Sequence, residues 1–178
     1  MIEAGRIGDL TMAAVGNAAG VSRQTVYVQF GSRAGLLVEM VRERDATNPR
    51  GRQLTEALER TDPVEALEGL ARVLARWWKD INPIAQALFS AALIDDAARA
   101  AWEDRMEHLR ALAGQVVERL HASGVLAPGW NVANATEWLA GELNPLGWLL
   151  LVEGSGWSQR KYEERMTAVV RRVLVAGA

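Results

Sequence analysis

Between Trp102 and Leu120 the apolar residues Trp102, Met106, Leu109, Ala113, Val116 and Leu120 recur at steps of four and three for five turns. That period gathers them on one side of an α-helix, whereas a β-strand would scatter them over both faces. Asp95 or Asp96 can cap this helix, which the spacing carries from 96 to about Ala122, and Gly124 followed by Pro128-Gly129 ends it. Similar signals recur along the chain. Asp62, Pro63 and Glu65 open a helix with the stripe Leu67, Leu70, Leu74, Trp77 and Trp78, expected to stop near Lys79, before Asn82-Pro83 start another to about Ala92. Leu54, Ala57 and Leu58 suggest a short helix. Asn131 begins one expected to reach Val152, with Pro145 kinking it beside Trp148. Ser158 begins the last, to about Val175, with Trp157 and Tyr162 spaced for a hydrophobic staple. No stretch alternates convincingly with period two, so the expected fold class is all-α, with eight or nine helices.

The stretch from Thr11 to Leu37, TMAAVGNAAGVSRQTVYVQFGSRAGLL, carries most of the functional information. Thr11 can cap a short helix over Met12–Ala18, with Met12, Val15, Ala18 and Ala19 on one side. Ala19-Gly20-Val21 breaks it, and Ser22 can cap a second helix over Arg23–Phe30. In that helix Val26 and Phe30 share a buried face and Val21 closes the corner. Two short helices across a glycine turn are the pattern of a helix-turn-helix, equally available to any small helical hairpin. On a wheel, Gln24, Thr25 and Val28 point outward, with Arg23 and Tyr27 on one edge and Gln29 on the other. Gln24 suits an adenine edge, and Val28 or the Thr25 methyl suits a thymine methyl. Ser32 caps the next helix, from Arg33 to about Asp45, with the apolar face Leu36, Leu37, Met40 and Val41.

The string AGVSRQTVYVQFGSRAGLL resembles the N-terminal domain of TetR-family transcriptional regulators in its alanine-glycine-valine corner, its serine cap, its Y-x-x-F pair and the serine, basic residue and leucine that open the next helix. The resemblance implies that Thr11, Ser22, Arg23, Gln24, Thr25, Tyr27, Gln29 and Arg33 occupy DNA-facing positions. The family more often has lysine where Arg33 stands and commonly histidine where Gln29 stands. It also places a long helix before the helix-turn-helix, whereas here Gly5 and Gly8 interrupt MIEAGRIGDL. That first helix is expected to be largely missing, with Ile2, Ile7 and Leu10 covering part of the core. The expected division is a DNA-binding domain over 1–45 and an effector-binding and dimerisation domain over 46–178, separated at ATNPRG.

Charge agrees with a small, local electrostatic footprint. The net charge is −2, yet Leu10–Val38 holds Arg23 and Arg33 and no acidic residue. The absence of cysteine excludes disulfides and thiolate metal sites. The longest apolar run, Leu146–Val152, is too short to span a bilayer, so a cytoplasmic location is expected. His108 and His121 stand thirteen residues apart on one helix, and the carboxylate pairs Asp95-Asp96, Glu103-Asp104 and Glu163-Glu164 are sequence neighbours that point apart. Neither pattern makes a catalytic or metal site, and no enzyme activity, cofactor or metal is expected.

Seven tryptophans fill either a core or a pocket wall. In the second case Trp77, Trp78, Trp102, Met106, Trp138 and Trp148 would hold an apolar or aromatic effector, since ligands often lodge between bundle helices. Dimerisation is expected from the last two helices, through Trp138, Leu139, Leu143, Leu146, Leu149, Leu150, Tyr162, Met166, Val169, Val170 and Val173. The leading expectation is therefore a homodimeric, ligand-responsive regulator, a repressor by family habit, whose partners are operator DNA and a small molecule, with no membrane. In it the 33–45 helix acts as a lever between the two halves. The alternative is a ligand-sequestering or protein-interaction dimer that has lost effective DNA binding.

Overall fold

The computed structural model describes residues 11–47 and 50–177, so the expectations for Ile2, Ile7, Leu10 and a missing first helix lie outside the described residues. Among the described residues there is no β-strand. Helices α1 (Met12–Ala19), α2 (Arg23–Phe30), α3 (Arg33–Ala46), α4 (Gly51–Leu58), α5 (Pro63–Ala92), α6 (Asp96–Ala122), α7 (Val132–Glu142) and α8 (Pro145–Trp148) follow in order. After a π-helical turn, Leu149–Gly154, α9 (Gln159–Leu174) closes the series. One isolated antiparallel bridge pairs Leu126 with Val175. The fold is all-α, as the helical period requires.

Two expected helix boundaries are corrected. The helix that begins at Pro63 does not stop at Lys79 but runs through Pro83 to Ala92. Pro83 has no N–H for the carbonyl four residues back, a cost that burial on both sides of it, at Trp77, Trp78, Ala85 and Leu88, offsets. Conversely, Val132 does not begin a kinked helix to Val152. Glu142 ends α7, and Asn144, in extended conformation, accepts a hydrogen bond from the Leu146 amide, with Pro145 at the first position of α8. Proline at that position gives up an amide that had no helical partner in any case, so Pro145 starts a helix where a kink was expected.

The chain falls into two compact units, one made of Met1–Asn48 with Ile81–Asp104 and the other of Pro49–Asp80 with Arg105–Ala178. In the first, α3 is buried on two sides. Leu36 packs with Met12 and Val26, edged by Val15 and Phe30, while Ala34, Leu37 and Val41 pack with Ala87, Leu88, Ala92 and Ala98; Met40 touches both groups. At about 2 kcal/mol each, Met12, Val26 and Leu36 offset the ordering of only a handful of residues. The α1–α2 hairpin therefore depends on α3 and on what lies beneath α3.

In the second unit the stripes of α5 and α6 are buried as their spacing requires, with Leu67, Leu70, Leu74, Leu109, Ala113, Val116 and Leu120 inside. Arg119 of α6 donates to the carbonyls of Leu58, Arg60 and Thr61, closing the otherwise open C-terminal end of α4. Glu163 of α9 receives a two-pronged hydrogen bond from Arg76 of α5 at 2.9 and 2.7 Å. Replacing Arg119 by alanine is expected to cost about 1–2 kcal/mol, since the site is half-exposed and water recovers part of the loss. A urea midpoint unchanged by Arg119→Ala would show that α4 ends without it.

Candidate nucleic-acid interface and effector cluster

The α1–α2 corner is built by caps and by one close approach. Thr11 Oγ1 accepts from the Ala14 amide at 3.1 Å and Ser22 Oγ accepts from the Thr25 amide at 3.0 Å, so both expected caps are present. Gly20 ends α1 in the left-handed conformation, φ 68°. The Val21 amide then donates to the Gly16 carbonyl at 2.9 Å. Gly16 is buried, and a Cβ there would lie 2.8 Å from the Val21 carbonyl oxygen. Sequence reasoning missed this residue and gave the corner to Val21, which is 42 % exposed. Of the four residues placed on the inner side of α1, only Met12 is buried and Val15 half-buried, while Ala18 and Ala19 are exposed.

Helix α2 separates its faces sharply. Val26 is 3 % exposed and Phe30 half-buried, whereas Val28 is 83 % exposed and Gln24, Thr25 and Gln29 are exposed beside it. Arg23 lies over the Tyr27 ring, 5.2 Å from its centroid, and Arg23 Nη2 donates to Tyr27 Oη at 3.3 Å. A guanidinium and a phenol are thus held together on one edge of the helix, a pairing suited to a phosphate. Ser22 Oγ and Thr25 Oγ1 are 2.9 Å apart, a hydrogen bond that ties the Thr25 hydroxyl to the cap. Arg33 is exposed at the start of α3.

The residues read as effector-binding are divided between the two units. Trp102 lies in the first unit, tilted 58° against Phe89 with ring centroids 5.0 Å apart, and packs on the cluster beneath α3. Trp77, Trp78, Met106, Trp138 and Trp148 lie in the second unit. There Trp78 Nε1 donates to the Leu143 carbonyl at 3.0 Å, Trp148 Nε1 to Gln159 Oε1 at 2.7 Å, and Gln159 Nε2 to the Ala75 carbonyl at 2.9 Å. Asn144 Nδ2 approaches Met106 Sδ at 3.2 Å. Trp78, Met106 and Trp148 thus surround the α7–α8 break, while Trp138 lies tilted 49° against Trp130 with ring centroids 5.7 Å apart.

The dimer stripe also divides. Tyr162, Met166 and Val170 are buried in their own chain along with Leu174, and so are Leu139 and Leu143; Val169 is exposed and Val173 half-buried. Trp138, Leu146 and Leu149 are half-buried, and Leu150 is exposed on the π-helical turn. Of that stripe on α9, Val169 and Val173 are the residues not buried in their own chain. Trp157 is met by the Lys161 ammonium 4.1 Å from its ring, a neighbour the staple reading did not foresee.

Residues 7–40 match the family model described as bacterial regulatory proteins, tetR family. Among curated proteins none matches the chain in sequence. Similar solved structures include NalD of Pseudomonas aeruginosa, the secondary repressor of the MexAB-OprM multidrug efflux pump, at 23% identity over 99% of this chain and 90% of that one, TM-score 0.70. A protein assigned as a transcriptional regulator from Saccharomonospora viridis, solved in complex with choline, superposes with TM-score 0.76 at 16% identity, covering 94% of this chain and 88% of that one. The TetR-family regulator PfmR of Thermus thermophilus gives 0.63 at 23% identity, covering 95% and 90%. No helix among the described residues is long and apolar enough to cross a membrane.

Proposed function

We propose that this chain, a TetR-family regulator by its matched segment and its fold, is a homodimeric, effector-controlled repressor in which Gln24, Thr25, Val28 and Gln29 read base edges while Thr11, Ser22, Arg23, Tyr27 and Arg33 hold phosphates. The observation that carries this reading is α2 itself. A valine 83 % exposed in the middle of a helix whose other face is buried costs the free protein solvation and offers a methyl pair to a thymine in the major groove. The repressor reading draws on NalD, and the effector reading on a relative of the same fold solved with a small organic molecule. The proposed effector lies in the second unit, near Trp77, Trp78, Met106 and Trp148, and Trp102 is left out because it belongs to the cluster under α3.

The test is an anisotropy titration against the DNA upstream of the chain's own gene. Gln24→Ala is expected to cost about 1–3 kcal/mol at one base pair and to relax specificity there. Arg23→Ala, by contrast, should weaken specific and random DNA alike and reduce the salt slope by about one phosphate contact. Equal losses for Gln24→Ala on both DNAs would overturn the groove-facing assignment. Absence of any DNA binding would favour a ligand-sequestering dimer.

A further inference from the structure

Of the five cations on α9, three are engaged within the chain and two are not. Arg160 pairs with Glu164 at 3.0 Å, Arg171 with Glu68 at 2.7 Å, and the Lys161 ammonium lies over the Trp157 ring. Arg165 and Arg172 are exposed, and among the described residues neither meets a carboxylate. Their own helix offers none within reach. The residues three and four places away are Lys161, Tyr162, Ala168 and Val169 for Arg165, and Ala168, Val169, Val175 and Ala176 for Arg172. The two arginines also stand one turn before and one turn after Val169, at i, i+4 and i+7 on a single face, with Val173 beside them. Whatever covers the valines therefore meets both guanidinium groups.

The opposite imbalance lies on α7, which packs against α9. Its Glu137, with a side chain 69 % exposed, stands 3.5 Å from Arg110 Nε, and that guanidinium is shared, since Arg110 Nη1 also pairs with Glu107. Two carboxylates on one cation leave negative charge in excess on the helix beside the one with two unmatched arginines. A surface that carries unmatched charges of both signs around exposed apolar residues is complementary to itself, which is what a two-fold interface requires. A phosphate backbone would satisfy the arginines but leave the valine between them wet. We propose that Arg165 and Arg172 of one copy pair with Glu137 of the partner subunit, and the reverse, in a homodimer that covers Val169 and Val173. This rests on the homodimer reading and deepens it: the valines supply apolar contact, and the charges decide which face meets which.

The test is a charge swap on the full-length protein, read by sedimentation velocity. One variant carries Arg165→Glu with Arg172→Glu, which makes every charge of the contact negative, and the other carries Glu137→Arg, which makes every one positive. Each is expected to self-associate at least about tenfold more weakly than the parent. An equimolar mixture of the two should form a heterodimer of parent-like affinity, because each copy then offers the other the opposite sign. Since a heterodimer forms only from folded chains, the mixture separates a lost contact from a lost fold. Raising sodium chloride from about 0.05 to 0.5 M should weaken the parent dimer and tighten self-association of either variant. A dimeric parent whose variants both dimerise as tightly, or whose variants fail to combine with each other, overturns the ionic pairing and leaves the homodimer standing. A monomeric parent overturns both. A doubly arginine-reversed protein that stays dimeric but loses affinity for random duplex DNA would assign the two arginines to phosphates instead.

Discussion

Replacing Val169 and Val173 together by glutamate is expected to leave the chain monomeric at micromolar concentration and to weaken operator binding by about 10²–10⁴-fold. The size of the loss is that of a tether, since two recognition helices joined in a dimer bind the second half-site at an effective concentration that separate subunits lack. The site for the substitution follows from how α9 divides its stripe. Tyr162, Met166, Val170 and Leu174 are committed to their own chain, so a charge at any of them would unfold the second unit and say nothing about assembly. Val169 is 39 % exposed and Val173 half-buried, so glutamate there leaves the core intact and places charge on the surface a partner would cover. Sedimentation velocity checks the assembly and thermal melting checks the fold. A dimer that persists in the doubly substituted protein would move the interface elsewhere on the molecule.

Gly35→Ala is expected to destabilise the first unit by at least about 3 kcal/mol and to abolish DNA binding with it. Gly35 stands on α3 directly against the end of α2, where a Cβ would run into the Phe30 carbonyl oxygen. That oxygen cannot swing aside cheaply, because it accepts from the Ser32 amide at 2.7 Å, and the Gly35 amide is itself held by Ser32 Oγ at 3.0 Å. The contrast is Gly141 in α7, where an added Cβ meets nothing, so Gly141→Ala should stabilise by about 0.5–1 kcal/mol through helix propensity alone. Denaturation followed by circular dichroism distinguishes them. Equal effects of the two substitutions would show that the α2–α3 turn relaxes around a side chain.

Those two glycines also show where the sequence ceases to be legible. Each reads simply as a weak helix residue, because the close approach that makes one indispensable is set by a turn whose path no local signal encodes. Caps fare better. Thr11 and Ser22 cap as expected, and Asn131 and Ser158 cap the helices they were expected to begin, since a side chain reaching an amide three residues on is decided within one turn. Proline proved ambiguous in both directions. Pro83 sits inside α5 and Pro145 starts α8, and the difference lies in tertiary burial at one and in the Asn144 cap at the other. Periodicity found the apolar faces of α5, α6 and α9 correctly, but it specifies only that a face is covered. It could not tell that Tyr162 and Val170 turn to their own chain while Val169 does not, nor that Trp102 packs on Phe89 beneath α3.

The two-sided burial of α3 has a consequence for how such a chain can drift. Leu36 and Leu37 are neighbours in sequence, yet one belongs to the group around Met12 and Val26 and the other to the group around Leu88 and Ala98, with Met40 in both. A change of volume at Ala87 or Ala92 shifts α3 as a rigid rod, and the shift is felt at Val26 on its far side. Substitutions in the segment 84–101 therefore select for second-site suppressors in α1 and α2. Recombination that exchanged the first forty-odd residues between distant relatives, without the matching stretch some forty residues further on, would yield proteins that fold poorly even though every DNA-facing residue had been kept.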